Sequence, residues 1–300
     1  MKQWKRVLNF GSLNIDYVYR VPHFVRPGET LSSTSFSVFA GGKGANQSVA
    51  LSRAGGAVYH AGKVGPEGKW LIQKLKKAGV NTRHVMSGST PTGHAIIQVD
   101  GAGQNAIVLF GGGNRAITRM EADSVLSAFG EGTLVLLQNE INGIAPIMKK
   151  ARQRGLGVCF NPAPFGREVP AYPLRLVDFL VLNETEGREL SGQGSPDRIV
   201  SALLNKFPGT AVVLTLGAQG LIYADRNSRF SLPAVKVRAV DTTAAGDCFI
   251  GYFLASLTRG KNVRESLKLA IRAAGLSVTR PGAMDSIPAL REVERFSRGH

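Results

Sequence analysis

TLVLLQNEINGIAPIMKKARQRGLGVCF, residues 133–160, is the stretch that decides the class of fold. Thr133 to Leu137 is a short apolar run, Ile144 to Arg154 is a helical pattern with basic residues beside apolar ones, and Gly157 to Phe160 is a second apolar run. An unbroken apolar strand needs cover on both faces, and a helix between two such strands lets them lie parallel. The same alternation continues outward. Arg6 to Phe10, Phe179 to Leu182 and Ala211 to Thr215 read as further strands, and Ala45 to Ala54, Gly68 to Ala78, Glu121 to Ala128 and Asp197 to Lys206 as further helices. The expected class is α/β: a mainly parallel sheet between two helical layers.

Two regions break this rhythm. Tyr17 to Phe39 and Gly93 to Phe110 alternate apolar and polar residues around Pro27-Gly28 and Asp100-Gly101, as antiparallel hairpins with one wet face do. They are expected to pair into one small antiparallel β lid, formed from about 13–40 and 92–112, on a single unit spanning 1–300. The lid's exposed apolar face would serve as a homodimer surface.

A chain of 300 residues that is 43% hydrophobic and 19% charged has the composition of a globular protein, not of a disordered one. No apolar run approaches the roughly 20 residues of a membrane span, and Met1 to Arg6 leads into a strand without a signal-peptide core, so no membrane partner and a cytoplasmic location are expected. Cys159 and Cys248 lack metal-ligand spacing and are expected to be buried free thiols. The net charge of +16 raises the question of nucleic acid. The densest groups, Lys74/Lys76/Lys77 and Lys149/Lys150/Arg152/Arg154, have the spacing of solvated helix faces, so no nucleic-acid partner is expected.

Two segments carry chemistry. Asp241-Thr242-Thr243-Ala244-Ala245-Gly246-Asp247 precedes a helical pattern, Cys248 to Leu257. Small residues there leave helix N–H groups open to an anion. Asp247 reads either as a plain N-cap or as the base that phosphoryl transfer needs beside such a hole. Gly41-Gly42-Lys43-Gly44-Ala45-Asn46-Gln47 runs from a strand into a helix. Gly44 stands where a Walker lysine would be followed by Ser or Thr, so Lys43 has another role; adjacent glycines let backbone press on a ligand, and Asn46 offers both a donor and an acceptor to hydroxyls. A third string, Gly111-Gly112-Gly113-Asn114-Arg115-Ala116, mimics a dinucleotide fingerprint but sits after the second hairpin region and reads as a loop.

These segments, with Gly11-Ser12-Leu13-Asn14-Ile15-Asp16, Pro27-Gly28-Glu29-Thr30, Asn161-Pro162-Ala163-Pro164, Asn183-Glu184-Thr185-Glu186 and Thr215-Leu216-Gly217-Ala218-Gln219-Gly220, occur in an order and spacing that resembles the ribokinase-like, or PfkB, family of carbohydrate kinases over nearly the whole chain. The resemblance implies that family's fold, and a phosphotransferase that moves the terminal phosphoryl group of ATP to a sugar hydroxymethyl group. It implies Asp247 as base and an anion hole at Ala244, Ala245 and Gly246. Sugar hydroxyls would be held by Asn14, Asp16, Gly42, Lys43, Asn46 and Glu140. Asn183 and Glu186 would manage phosphate and hydrated Mg²⁺, while Thr215, Gly217, Gly220, Gly246 and Ile271 would cradle the nucleotide. A monovalent-cation site, K⁺ in the family, is implied at Asp241, Thr243, Ser277, Arg280, Gly282 and Ser286. D-ribose, phosphorylated at O5, is the first substrate expected. Another sugar or a nucleoside is the alternative, and a sugar-binding regulator without catalysis is the reading from a different class.

Overall fold

A computed structural model describes residues 3–296; residues 1–2 and 297–300 of the expected unit lie outside the described residues. The elements run β1 (Arg6–Phe10), β2 (Asn14–Arg20), β3 (Ser35–Gly41), α1 (Lys43–Arg53), β4 (Val58–Val64), α2 (Lys69–Lys77), β5 (Asn81–Ser87), β6 (Gly93–Val99) and β7 (Asn105–Phe110). Then come α3 (Arg119–Ser127), β8 (Thr133–Gln138), α4 (Ile144–Gln153), β9 (Gly157–Asn161), β10 (Phe179–Asn183), α5 (Glu184–Ser191) and α6 (Pro196–Lys206). The last are β11 (Ala211–Thr215), β12 (Leu221–Ala224), β13 (Arg229–Leu232), α7 (Ala245–Thr258), α8 (Val263–Ser277) and α9 (Leu290–Phe296).

Strand β8 lies mid-sheet and shows why the 133–160 stretch was decisive. Its residues are all buried, with Leu134 and Leu136 in the core layer under α1, α7 and α8, and Val135 and Leu137 in the opposite layer with α3, α4 and α6. The sheet has nine strands in the order β13-β12-β11-β10-β9-β8-β1-β4-β5. It is parallel from β11 to β5, and β12 and β13 close one edge antiparallel. In such a sheet the loops at the carboxyl ends of the strands form the binding crevice. Asn14, Glu140, Asn161 and Asn183 all follow or end strands on that side, while Lys43 follows β3, which lies outside this sheet.

Helix α7 is buried along nearly its whole length, from Asp247 to Leu257, because it packs against β1 and is flanked by the helices α1 and α8. Gly251 is what permits the closeness. A Cβ there would stand 2.3 Å from the Cβ of Ala50 and 2.8 Å from the amide of Leu51. Both cysteines are buried free thiols, and among the described residues no helix is long and apolar enough to cross a membrane.

The two hairpin regions do pair into one small sheet, in the order β3-β2-β6-β7. It differs from an all-antiparallel lid: β2–β3 and β6–β7 are antiparallel, but the central pair β2–β6 is parallel. The reason is topological. β2 follows β1 and β6 follows β5, two strands of the same parallel run, so both leave the core sheet from the same end. Register puts Val38, Tyr17, Ile96 and Val108 in one row on one face, and the alternate residues Asn14 and Asp16 on the other. Apolar residues remain exposed on this sheet, Val108 the most at 67%.

Candidate active site

Helix α7 begins at Ala245, with Ala244 as its N-cap in a left-handed conformation (φ 59°). This corrects the reading of Asp247 as an N-cap: it sits in the first turn, and its carboxylate faces α1. The amide of Ala245 donates to the Thr242 carbonyl at 3.2 Å. The amides of Gly246 and Asp247 have no carbonyl within reach inside the helix, and a Cβ at Gly246 would meet nothing within 4 Å, so this turn opens onto free space. An anion would meet a helix dipole and unspent donors there.

The Asp247 side chain is held from one side only. Its Oδ1 accepts from Gln47 Nε2 at 2.9 Å and its Oδ2 from Asn46 Nδ2 at 3.1 Å. The residue is 6% exposed, and burial pushes its carboxyl above the ordinary range against the opposing pull of the Lys43 ammonium and these two amides. Asp247, Glu140 and Glu186 in turn raise the Lys43 ammonium, so it stays charged among three acids.

The glycine turn Gly41-Gly42 brings the remaining polar groups together. Gly42 takes φ 91°, and a Cβ on it would crowd Ser12 and the Asn14 amide. Glu140 Oε2 accepts from the Lys43 amide at 2.9 Å and from the Ser12 hydroxyl. Burial raises the Glu140 carboxyl, a rise that these donors and the Lys43 charge oppose. The Asp16 carboxylate lies over Gly41, where a Cβ would fall 2.0 Å from Oδ2. Burial, and then the neighbouring Glu140, push Asp16 up to about 7. Asn14 Oδ1 accepts from Asn114 Nδ2 at 2.7 Å, which leaves the Asn14 amide nitrogen to donate elsewhere.

Two cavities meet at the start of α7. The smaller, 240 Å³, has Lys43, Asn161, Asn183, Glu186, Gly246 and Asp247 in its wall. The larger, 490 Å³, is lined by Thr215, Gly217, Gly220 and Ile271 together with apolar side chains that include Val235 and Val237. Thr215, Thr242, Ala245, Gly246 and Phe249 border both. An apolar slot leading to a polar, donor-rich end suits an aromatic base at one end and phosphates at the other.

Asn183 and Glu186 form a reciprocal capping box on α5. Asn183 Oδ1 accepts from the Glu186 amide at 2.9 Å, and the Glu186 carboxylate accepts from the Asn183 amide and side chain, both at 3.0 Å. Burial raises the Glu186 carboxyl. The 241–286 set is gathered less tightly. Asp241 accepts from the Thr243 and Gly282 amides, both at 2.8 Å, and Val278 O accepts from the amides of Val240 and Asp241. The Ser277 carbonyl accepts from the Arg280 amide, the Arg280 side chain pairs with Glu292 at 2.8 Å, and Ser286 is buried. Among the described residues no group of three or more His, Cys, Asp or Glu could hold a metal ion, so a cation here would depend on carbonyls, single carboxylates and water.

Sequence reasoning passed over four residues. Gln47 stands at the end of a segment already singled out but was given no role. Ser12 lies inside another such segment, Asn161 opens a third, and Asn114 belongs to the glycine string read as a loop. The signal available was an amide side chain inside an apolar pattern, since a buried amide must find partners.

Known proteins resemble this chain over nearly its whole length. The pattern of the pfkB family carbohydrate kinases matches residues 5–290. A ribokinase of Haemophilus influenzae is 34% identical over 302 residues, which cover 97% of this chain and 98% of that protein. Among solved structures, a ribokinase from Cryptococcus neoformans in complex with ADP superposes with a TM-score of 0.87 at 34% identity, covering 97% of this chain and 99% of that one. An Arabidopsis thaliana ribokinase complexed with ribose and ATP gives 0.88 at 29% identity, covering 98% and 99%. With a family match over almost all of its length and a helix start that opens onto free space beside a buried carboxylate, this chain belongs to the pfkB family of carbohydrate kinases.

Proposed function

We propose that the chain transfers the terminal phosphoryl group of ATP to O5 of D-ribose, giving ribose 5-phosphate and ADP. The observation that carries the reading is the position of Asp247, in the wall of the small polar cavity and directly beside the helix turn that the nucleotide cleft also touches. ATP lies along the larger cavity with its phosphates toward Gly246. The sugar lies against Asn14, Asp16, Gly42, Lys43, Asn46 and Glu140. Asp247 takes the proton of the O5 hydroxyl as the new O–P bond forms and the bond to the ADP oxygen breaks, and the proton ends on its carboxylate. A base raised by burial toward working pH accepts that proton more readily than an ordinary carboxylate. The Gly246 amide and Lys43 meet the charge on the phosphoryl oxygens.

Mg²⁺ neutralises phosphate charge when it accompanies the nucleotide. Asn183 and Glu186 fit a hydrated ion rather than direct ligation, because both are already committed to the capping box. K⁺ would be held by the Asp241 carboxylate and by oxygens of Thr243, Ser277, Arg280, Gly282 and Ser286, steadying the segment that precedes the anion hole. A second copy of the chain covers the exposed apolar side of the small sheet, making a homodimer.

The deciding experiment is ADP release measured over ribose, deoxyribose, fructose, tagatose and adenosine. Ribose is expected to give the highest kcat/KM. A nucleoside or hexose that outperforms it by tenfold or more would replace ribose as the substrate while leaving the kinase chemistry in place. ADP release that no acceptor stimulates would favour a sugar-binding regulator.

A further inference from the structure

Behind Asp247, and outside both cavities, lies a chain of buried side-chain amides. Gln47, 0% exposed, gives its Nε2 to Asp247 and, at 3.3 Å, to Asn161 Oδ1, while its Oε1 accepts from Gln138 Nε2 at 2.7 Å. Gln138 Nε2 also donates to Asn9 Oδ1 at 3.0 Å, and Asn9 Nδ2 donates to the Gly44 carbonyl at 2.7 Å and to Ser48 Oγ at 2.8 Å. Nothing in the phosphoryl-transfer chemistry above uses Asn9 or Gln138. Both are buried at the carboxyl ends of the central strands β1 and β8, where apolar residues would otherwise pack.

The direction of this chain follows from its anchors. A main-chain carbonyl only accepts, so Gly44 O fixes Asn9 Nδ2 as the donor end and leaves Asn9 Oδ1 as an acceptor. Gln138 must therefore present its nitrogen to Asn9. The same nitrogen then faces Gln47, which turns its oxygen toward Gln138 and its nitrogen toward Asp247. A second carbonyl enforces the same result: Asn161 Nδ2 donates to Val181 O at 3.0 Å, so Asn161 also offers Gln47 only an oxygen. Two backbone carbonyls, one in the first turn of α1 and one in β10, thus leave Gln47 a single orientation. Its amide can present Asp247 with hydrogens and not with a lone pair.

We infer that Asn9, Gln138 and Gln47 form a polarised positioning relay that holds the Asp247 carboxylate in its proton-accepting orientation. They are positioning residues, and none of the three lines either cavity. Without Gln138, only the longer bond to Asn161 Oδ1, at 3.3 Å, keeps the Gln47 amide from turning over and putting its oxygen against the carboxylate. That arrangement either repels Asp247 or recruits its proton, and both silence it as a base.

The inference rests on the proposed role of Asp247, and the experiment separates the two. Gln138→Met keeps the volume and removes the donor; Gln47→Leu removes the contact itself. Each is compared with Asp247→Asn, and with the double variant carrying both changes, for kcat, for KM of ribose and ATP, and for thermal unfolding. Expected are losses in kcat of about 10-fold for Gln138→Met and about 10²-fold for Gln47→Leu, the range for a misplaced catalytic group, with both KM values within about twofold of wild type. In the Asp247→Asn background, itself down at least ~10²-fold, Gln47→Leu is expected to cost little more, because the two act as a unit. Wild-type kcat in both relay variants alongside an inactive Asp247→Asn would overturn the relay and leave the proposed reaction standing. Losses that multiply in the double variant, or that fall on KM, would reduce the relay to ordinary packing. Full turnover in Asp247→Asn would sink the proposed reaction and the relay with it.

Discussion

At the scale of single residues, the site is governed by carboxylates kept out of water. Asp16 shows the consequence most directly, since burial and Glu140 push it from the ordinary 3.8 up to about 7. Between those two values the folded chain binds a proton that the unfolded chain has released. The unfolded state then holds fewer protons, so stability declines as pH rises through that window. Asp16→Asn is expected to flatten this decline, which thermal unfolding between pH 5 and pH 8 would show. The functional counterpart runs the other way. Below about 7 Asp16 takes up a proton and loses its charged acceptance of sugar hydroxyls, so KM for ribose should climb by up to roughly tenfold per pH unit toward pH 5. In Asp16→Asn the KM should be high and nearly independent of pH. A ribose KM that stays level from pH 5.5 to pH 8 in the wild type would remove Asp16 from sugar recognition.

At the scale of elements, the decisive pair is α1 with α7. Asn46 and Gln47 on α1 hold Asp247 on α7, and one turn further along each helix Ala50 and Leu51 meet Gly251. Residues four apart share a helix face, so the glycine contact and the carboxylate contact belong to one seam. The close approach that Gly251 allows is what brings two short amides within reach of the carboxylate. Gly251→Ala should force the helices apart, costing about 1–3 kcal/mol of stability as overpacking does. Turnover should fall by roughly tenfold as the 2.9 and 3.1 Å bonds to Asp247 lengthen. Denaturant unfolding and steady-state kinetics on the same preparation check both. Wild-type values in each would show that the seam tolerates a methyl group and does not set the spacing.

At the scale of the whole molecule, the small mixed sheet stands out, with Phe36, Val38, Ile96 and Val108 all exposed. Phe36 and Val38 on β3, Ile96 on β6 and Val108 on β7 share one face by register, opposite the face that bears Asn14 and Asp16. A stable interface buries about 800 Å² per partner, and an apolar row across four strands is a suitable centre for one. Light scattering coupled to size exclusion should find a dimer in the wild type and a folded monomer in Val108→Arg. Because Asn14 and Asp16, proposed to hold the sugar, lie on the other face of the same sheet, the monomer should also show a raised ribose KM. A wild-type monomer at all protein concentrations tested would leave this face without the partner proposed for it.

The α/β class was legible in the sequence because unbroken apolar runs such as Thr133 to Leu137 have one stable home, a strand covered on both faces. The kinase chemistry was legible through the ordered set of segments that resembles a family, because an aspartate at the start of a helix taken by itself reads as readily as a cap. The parallel pairing of β2 with β6 was not, since it depends on which ends of the core sheet the two strands leave. The placement of Asp247 within the first turn was not legible either, because Ala244 has an unremarkable side chain and caps α7 only by adopting a left-handed backbone. The amide chain from Asn9 to Gln47 spans 129 residues between Asn9 and Gln138, and the direction of its hydrogen bonds is set by two carbonyls. Local propensity acts over a few residues, whereas the orientation of a buried amide is decided by whichever groups the completed fold brings against it.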